Sequence, residues 1–234
     1  MFVLPDIVAS RLPTTFTFTW GQYDVEFFVM HWPRPVHVIS PLLEYASLSA
    51  GGRVIKTLTS ATYSPPSSGH YKLVSRKDPK QTLGEIRTPA LALTDGMEPG
   101  QCWAFGGDAG QLGIQFTRAI HVSYLTVGYP GTLRTTSAPK TLILWGLKPA
   151  DSEGCTALED IGPFAPDFGS GYCGVRLLSG IYEPEFSMHH QNFTSTLDFS
   201  HDHYFDQIIF QVLGNWGNAD FTCIYRIWIY GRAQ

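Results

Sequence analysis

Charge is scarce in this chain, and nowhere does it run. Asp, Glu, Lys and Arg make up 15% of the residues and the net charge is -4. With no basic stretch, a surface for nucleic acid or an anionic membrane is not expected. No stretch of about eighteen residues is uninterruptedly apolar, so these residues hold no transmembrane helix. The N-terminus lacks a basic region followed by an apolar one and does not read as a signal peptide. If the protein works outside the cytosol, its targeting segment is expected to lie outside this chain. Sustained heptads are missing from Met1 to Pro41, and there is no internal repeat. No pair of cysteines has C-x-x-C spacing, which makes a zinc ribbon a poor reading. G-x-S-x-G, H-E-x-x-H and P-loop patterns are all absent, so an enzyme reading has no anchor.

What is present points to strands. Aromatic residues reach 14%, and 23 Gly and 16 Pro punctuate the chain. Thr14–Trp20 alternates as a strand and Val25–Met30 reads as a second, but residues 1–41 carry no assignable chemistry. From Leu42 the pattern becomes orderly, and 42–234 is expected to form the main domain. Leu42–Ser47 reads as a short helix and Arg53–Tyr63 as a strand stopped by Pro65-Pro66. Ser64–Pro89 is a polar excursion, either a functional loop or a mobile one. Short strands are expected at Cys102–Phe105, Leu112–Phe116, Ile120–Val127, Thr141–Leu147, Val175–Tyr182, Ser195–Phe199, Tyr204–Leu213 and Thr222–Tyr230. Such strands between Gly/Pro turns, with little helical period, argue an all-β chain folded as a β-sandwich.

The last strand is the most informative. Cys223, Tyr225, Ile227 and Ile229 alternate with Ile224, Arg226, Trp228 and Tyr230, so both faces are expected to be covered and Arg226 to need a partner. The turn before it, Gly214-Asn-Trp-Gly-Asn218, is made of residues that tolerate positive φ. The four cysteines, Cys102, Cys155, Cys173 and Cys223, fit two disulfides in an oxidising compartment or four buried thiols. His201 and His203 fall on one strand face and, with His189 and His190, raise a metal site, for which no third ligand is fixed; solvated histidines are the simpler reading. Asn192-Phe-Thr194 is a glycosylation sequon, usable only in the secretory lumen.

Seven motifs then line up in order: Tyr45-Ala-x-x-Ser-Ala-Gly-Gly-x-Val54, Thr59-Ser-x-Thr-Tyr63, Pro99-Gly-x-Cys-Trp-Ala-Phe105, Ser137-Ala-Pro-Lys140, Gly146-Leu147, Asn215-Trp-Gly-Asn218 and Thr222-Cys-x-Tyr-Arg-Ile227 with Gly231. Over about Leu42 to Gly231 the chain resembles a SUN domain of the Sad1 type. The resemblance implies a compact, jelly-roll-like β-sandwich in the lumen of the nuclear envelope, the perinuclear space. Such a domain binds the C-terminal tail of a KASH protein, as the inner half of a nucleus–cytoskeleton (LINC) bridge. It implies a projecting lid hairpin at Ser64–Pro89, which pairs with the peptide by strand addition. Family members act as trimers, anchored by segments that this chain does not contain.

The resemblance also assigns residues. Cys102 and Cys223 match the family's disulfide; Cys155 and Cys173 lie in what resembles an insertion and form a second possible pair. Leu91–Gln101 matches a loop whose backbone carbonyls, here those of Leu91, Thr94, Gly96 and Gln101, hold a monovalent cation such as potassium. Ser137 and Tyr225 match the hydroxyls that hold the peptide carboxylate. A family histidine is replaced near Gly128-Tyr129-Pro130, a tyrosine is Phe221, and the cysteine that links some members covalently to their partner is Thr59, so binding is expected to be non-covalent. Two rival readings remain: a glycan-binding sandwich and a histidine-based metal hydrolase.

Overall fold

The computed structural model describes residues 15–20, 23–28, 42–64, 88–130, 135–152, 154–155, 165–184, 190–197 and 203–233. The chain divides into two compact units, Met1–Ile39 and Ser40–Gln234. In the first, β1 (Thr15–Trp20) and β2 (Tyr23–Phe28) form an antiparallel hairpin with Trp20 opposite Tyr23.

The second unit is built around one long strand. Its strands are β3 (Leu43–Glu44), β4 (Arg53–Ile55), β5 (Trp103–Gly106), β6 (Gly110–Gly128), β7 (Thr141–Pro149), β8 (Tyr172–Ile181), β9 (His190–Thr194), β10 (Phe205–Val212), β11 (Phe221–Ile224) and β12 (Arg226–Ala233). The main sheet runs β3-β12-β6-β10-β7-β8, with β4 and β9 also paired to β6, and β11-β5 forms a separate two-stranded sheet. The first half of β6 pairs with β10 and β4 and its second half with β12 and β9. Between the halves, the side chains of Thr117 and Arg118 are exposed. These two polar residues divide the apolar pattern, so what reads as two strands, Leu112–Phe116 and Ile120–Val127, is one strand of 19 residues.

The core explains why the strands look apolar on both faces. In β10, Ile208 and Phe210 enter a large cluster with Trp103, Phe105, Leu125, Ile227 and Ile229. Ile209, on the opposite face, joins Leu58, Trp145, Leu147 and Phe168 in a second cluster. A strand buried on both sides loses polar/apolar alternation and keeps only its β-branched and aromatic content. Trp145 satisfies its buried ring N–H by donating to Gln211 Oε1 at 2.8 Å.

Several elements differ from the sequence expectation. Leu42–Ser47 is not a helix. Leu43 and Glu44 pair with Gly231 and Tyr230 of β12, and the Glu44 carboxylate then accepts the N–H groups of Ala46 and Ser47 at 2.8 and 3.0 Å. That carboxylate closes a turn where helical hydrogen bonds would otherwise form. Arg53–Tyr63 stops being a strand after Ile55, because Thr59 Oγ1 donates back to the Ile55 carbonyl at 2.7 Å and closes a 3-10 turn over Lys56–Leu58. The strand expected at Ser195–Phe199 lies upstream, at His190–Thr194. Within Leu91–Gln101, expected as loop throughout, the first three residues complete a 3-10 turn, Pro89–Leu93. Of the segment expected to form a lid, Ser64–Pro89, residues 65–87 lie outside the described residues.

Candidate functional site

The last strand of the sequence reading is two strands, β11 and β12, separated at Tyr225. The entry to β11 is fixed locally. Asn215 Oδ1 accepts the N–H groups of Gly217 and Asn218 at 2.9 and 3.1 Å, while its amide donates to the Asn218 carbonyl and to Thr222 Oγ1 at 2.8 and 3.0 Å. Gly217 sits at φ +106°, where a side chain would be strained. Then Cys223 donates its N–H to the Ser137 carbonyl at 2.8 Å. This bond sets the Ser137-Ala-Pro-Lys140 segment against β11, and the Ala138 N–H, donating to the Thr135 carbonyl at 2.9 Å, closes the turn that carries Ser137.

Ser137, Tyr129 and Tyr225 meet here. The Ser137 and Tyr129 hydroxyls lie 3.2 Å apart. The Tyr129 and Tyr225 rings pack edge to face with centroids at 4.8 Å. Tyr225 Oη accepts the Gly100 N–H at 3.1 Å, which leaves its own proton to donate. All three residues are buried. Burial raises the pKa of Tyr129 and Tyr225, against the lowering effects of the Ser137 and Gly100 hydrogen bonds respectively. The site is therefore a set of neutral hydroxyls that stay protonated through the physiological range. Phe221 is placed differently: its ring packs on Tyr63, one residue before the Ser64–Pro89 segment begins, with centroids 5.2 Å apart.

Tyr182 belongs to this neighbourhood and went unnoticed in the sequence. It is fully buried just beyond β8, and burial, followed by the nearby Tyr129, pushes its pKa well up. In sequence it is one more tyrosine at a strand end, with no motif around it.

These shifts carry a pH prediction. Tyr129, Tyr182 and Tyr225 have folded-state pKa values raised above 10. Above that pH the unfolded chain ionises first, so the contribution to stability is complete below about pH 10 and lost above it, by up to about 1.4 kcal/mol per pH unit for each tyrosine. Urea midpoints should be level from pH 8 to about 9.5 and fall steeply by pH 11. A midpoint that holds to pH 11 would refute the neutral-tyrosine cluster.

The neighbouring loop carries the carbonyls expected for a cation. The Leu91 carbonyl already accepts both the N–H and the hydroxyl of Thr94, at 3.2 and 2.8 Å, so it could join an ion only as a shared oxygen. The Thr94, Gly96 and Gln101 carbonyls lie on the rest of the same loop, a neutral donor set that suits an alkali ion. Asp95 of this loop supplies the partner Arg226 needs, with Oδ1 3.4 Å from the guanidinium Nη2. Burial lowers the Arg226 pKa, and Glu44 and Asp95 oppose that.

Two disulfides form: Cys102 joins Cys223, two residues before Tyr225, across 121 residues, and Cys155 joins Cys173 across 18, where Cys173 pairs with Lys148 at the end of β7 away from Ser137. Among the described residues, no three His, Cys, Asp or Glu side chains are grouped to hold a metal ion. His203 Nδ1 lies 3.1 Å from Lys148 Nζ and the His190 ring packs on Trp228, while His189 and His201 lie outside the described residues. Asn192 is exposed on β9, its side-chain oxygen accepting from Thr126 at 2.7 Å.

Topology and core together define an all-β, jelly-roll-like sandwich closed by disulfides. Comparison with known proteins gives the family. The profile described as Sad1 / UNC-like C-terminal matches residues 83–167 and 177–233, more than half of the chain. Human SUN domain-containing protein 5 is 26% identical over 198 residues, covering 80% of this chain and 43% of that protein. Human SUN domain-containing protein 1 is 26% identical over 202 residues, covering 82% of this chain and 22% of that protein. The chain thus spans less than half the length of these relatives. Among solved structures, the family 32 carbohydrate-binding module of Streptococcus pneumoniae EndoD superposes with a TM-score of 0.47 at 13% identity, over 81% of this chain and all of that one. The chain belongs to the Sad1/UNC-like C-terminal family and is a SUN domain protein.

Proposed function

We propose that this domain is a non-enzymatic binding module that captures the C-terminal tail of a KASH protein in the perinuclear space, as the inner half of a bridge across the nuclear envelope. The carrying observation is the hydroxyl cluster of Ser137, Tyr129 and Tyr225. Neutral donors hold a carboxylate by charge-assisted hydrogen bonds without a buried counter-charge. Membership of the family supports the partner class. Phe221 and Tyr63, at the foot of the Ser64–Pro89 segment, supply an aromatic surface for the peptide's flank. The Leu91–Gln101 loop, joined to the cluster through Gly100 and Tyr225, holds a monovalent cation that stiffens it. Asn192 is a glycosylation site if the chain passes through the secretory lumen, and assembly as a homotrimer is part of the same reading.

The test compares a KASH C-terminal peptide with the same peptide extended by one residue. The native peptide should bind, and the extension should weaken it at least a hundredfold. Ser137→Ala and Tyr225→Phe should each weaken the native peptide by about tenfold, the scale of one hydrogen bond to a charged group. Repeating the titration in choline chloride instead of potassium chloride should lower affinity if the loop holds potassium. Equal binding of both peptides overturns the carboxylate site. No observation favours the glycan reading: one face of the exposed Trp216 is covered by Lys140 Nζ, 4.5 Å from the ring centroid.

A further inference from the structure

Tyr182 is placed by its backbone. Its N–H donates to the Lys140 carbonyl at 2.7 Å and its carbonyl accepts Trp216 Nε1 at 2.9 Å. Lys140 ends the segment that begins with Ser137, so the same segment that presents the serine also anchors the tyrosine. The ring is fully buried, yet its hydroxyl has no hydrogen-bond partner among the described residues. A buried hydroxyl left unpaired is destabilising, and a phenylalanine would fill the same space without that cost. An open cleft of about 380 Å³ lies alongside, lined by Thr135, Glu183, Pro184 and Trp216. Thr135 closes the Ser137 turn and Glu183 follows Tyr182, so the cleft is flanked by both.

We propose that Tyr182 is a further ligand-binding residue: its hydroxyl donates to the peptide's terminal carboxylate beside Ser137 and Tyr225, and the cleft is the way in. This rests on the peptide-capture reading above and adds to it a donor that selects a free carboxylate over a capped or extended end. Burial, and after it the nearby Tyr129, keeps the Tyr182 hydroxyl protonated, as a donor must be.

The experiment uses the full chain, Tyr182→Phe and two peptides that share one KASH-type sequence, one with a free C-terminus and one amidated. Tyr182→Phe should bind the free-carboxylate peptide about tenfold more weakly and the amidated peptide as the unmodified protein does. Its urea midpoint without peptide should be unchanged or raised, because an unpaired hydroxyl has gone. Unchanged affinity for the free carboxylate, or an equal loss for both peptides with a lowered midpoint, overturns the proposal and assigns the hydroxyl to internal packing. If the unmodified protein binds neither peptide, the capture reading fails first. The double variant Ser137→Ala/Tyr182→Phe provides a second measure. Two donors to one carboxylate should show losses that depart from multiplicativity, and strict multiplicativity counts against a shared ligand.

Discussion

Replacing Cys102 and Cys223 together by alanine is expected to lower stability by about 5 kcal/mol, the largest loss of any change considered. The bridge closes a loop of 121 residues, and in the chain-entropy relation a constraint of that length removes about 5 kcal/mol of unfolded-state freedom. The Cys155–Cys173 bridge, across 18 residues, should be worth about 3 kcal/mol on the same relation. For a domain of this size, where each kcal/mol moves the melting temperature by about 2–4 °C, the first double variant should melt about 10–20 °C lower. Paired variants avoid leaving an odd thiol. Non-reducing melts of both pairs check the ranking: a larger drop for Cys155/Cys173 would show that local strain or residual unfolded structure, not loop length, governs these bridges. The long bridge also bears on the site. Cys223 lies two residues before Tyr225 and gives its N–H to the Ser137 carbonyl, so opening the bridge should weaken peptide binding before the fold melts.

A second large effect is expected where β7 and β10 pair. Gly146 faces the Phe205 ring, and a Cβ on Gly146 would stand 2.4 Å from a ring carbon. Phe205 is 1% exposed and has no room to turn aside. Gly146→Ala should therefore cost about 1–3 kcal/mol by overpacking, and Phe205→Ala about 3–5 kcal/mol by leaving a cavity. The double variant should lose clearly less than the two single losses added, because the new methyl enters the space the ring vacates. Urea unfolding of the four proteins measures the coupling; additivity within about 0.5 kcal/mol would mean that the backbone, not the ring, absorbs the methyl. This gives the glycine of the Gly146-Leu147 motif a physical reason for being there.

Much of the architecture was legible because burial on strands leaves a local trace. Thr222–Tyr230 shows its alternation, and the Asn215-Trp-Gly-Asn218 turn shows its chemistry. The failures share a cause, which is that a distant or side-chain partner decides the backbone. Glu44 turns a short apolar stretch away from helix by capping it. Thr59 ends β4 by bonding backwards. β6 reads as two strands because Thr117 and Arg118 are polar where one strand changes neighbours. The site was legible where its hydroxyls sit in motifs, at Ser137 and Tyr225. Tyr182 was not, since its significance lies in an unpaired oxygen, and no spacing records that. Arg226 stood between: its need for a partner was plain, while Asp95, 131 residues away, was not.

The topology of β6 also bears on how this domain is made. Its principal neighbours on the main-sheet path, β10 and β12, are the third-last and last strands of the chain. During synthesis, the central strand emerges long before either can pair with it, and its exposed edges are open to other chains in the interval. The Cys102–Cys223 bridge cannot close before β11 has emerged. Assembly of the hydroxyl cluster is therefore among the last events of folding, and a nascent chain arrested before Phe205 is a sheet with its middle strand uncovered, a natural client for chaperones.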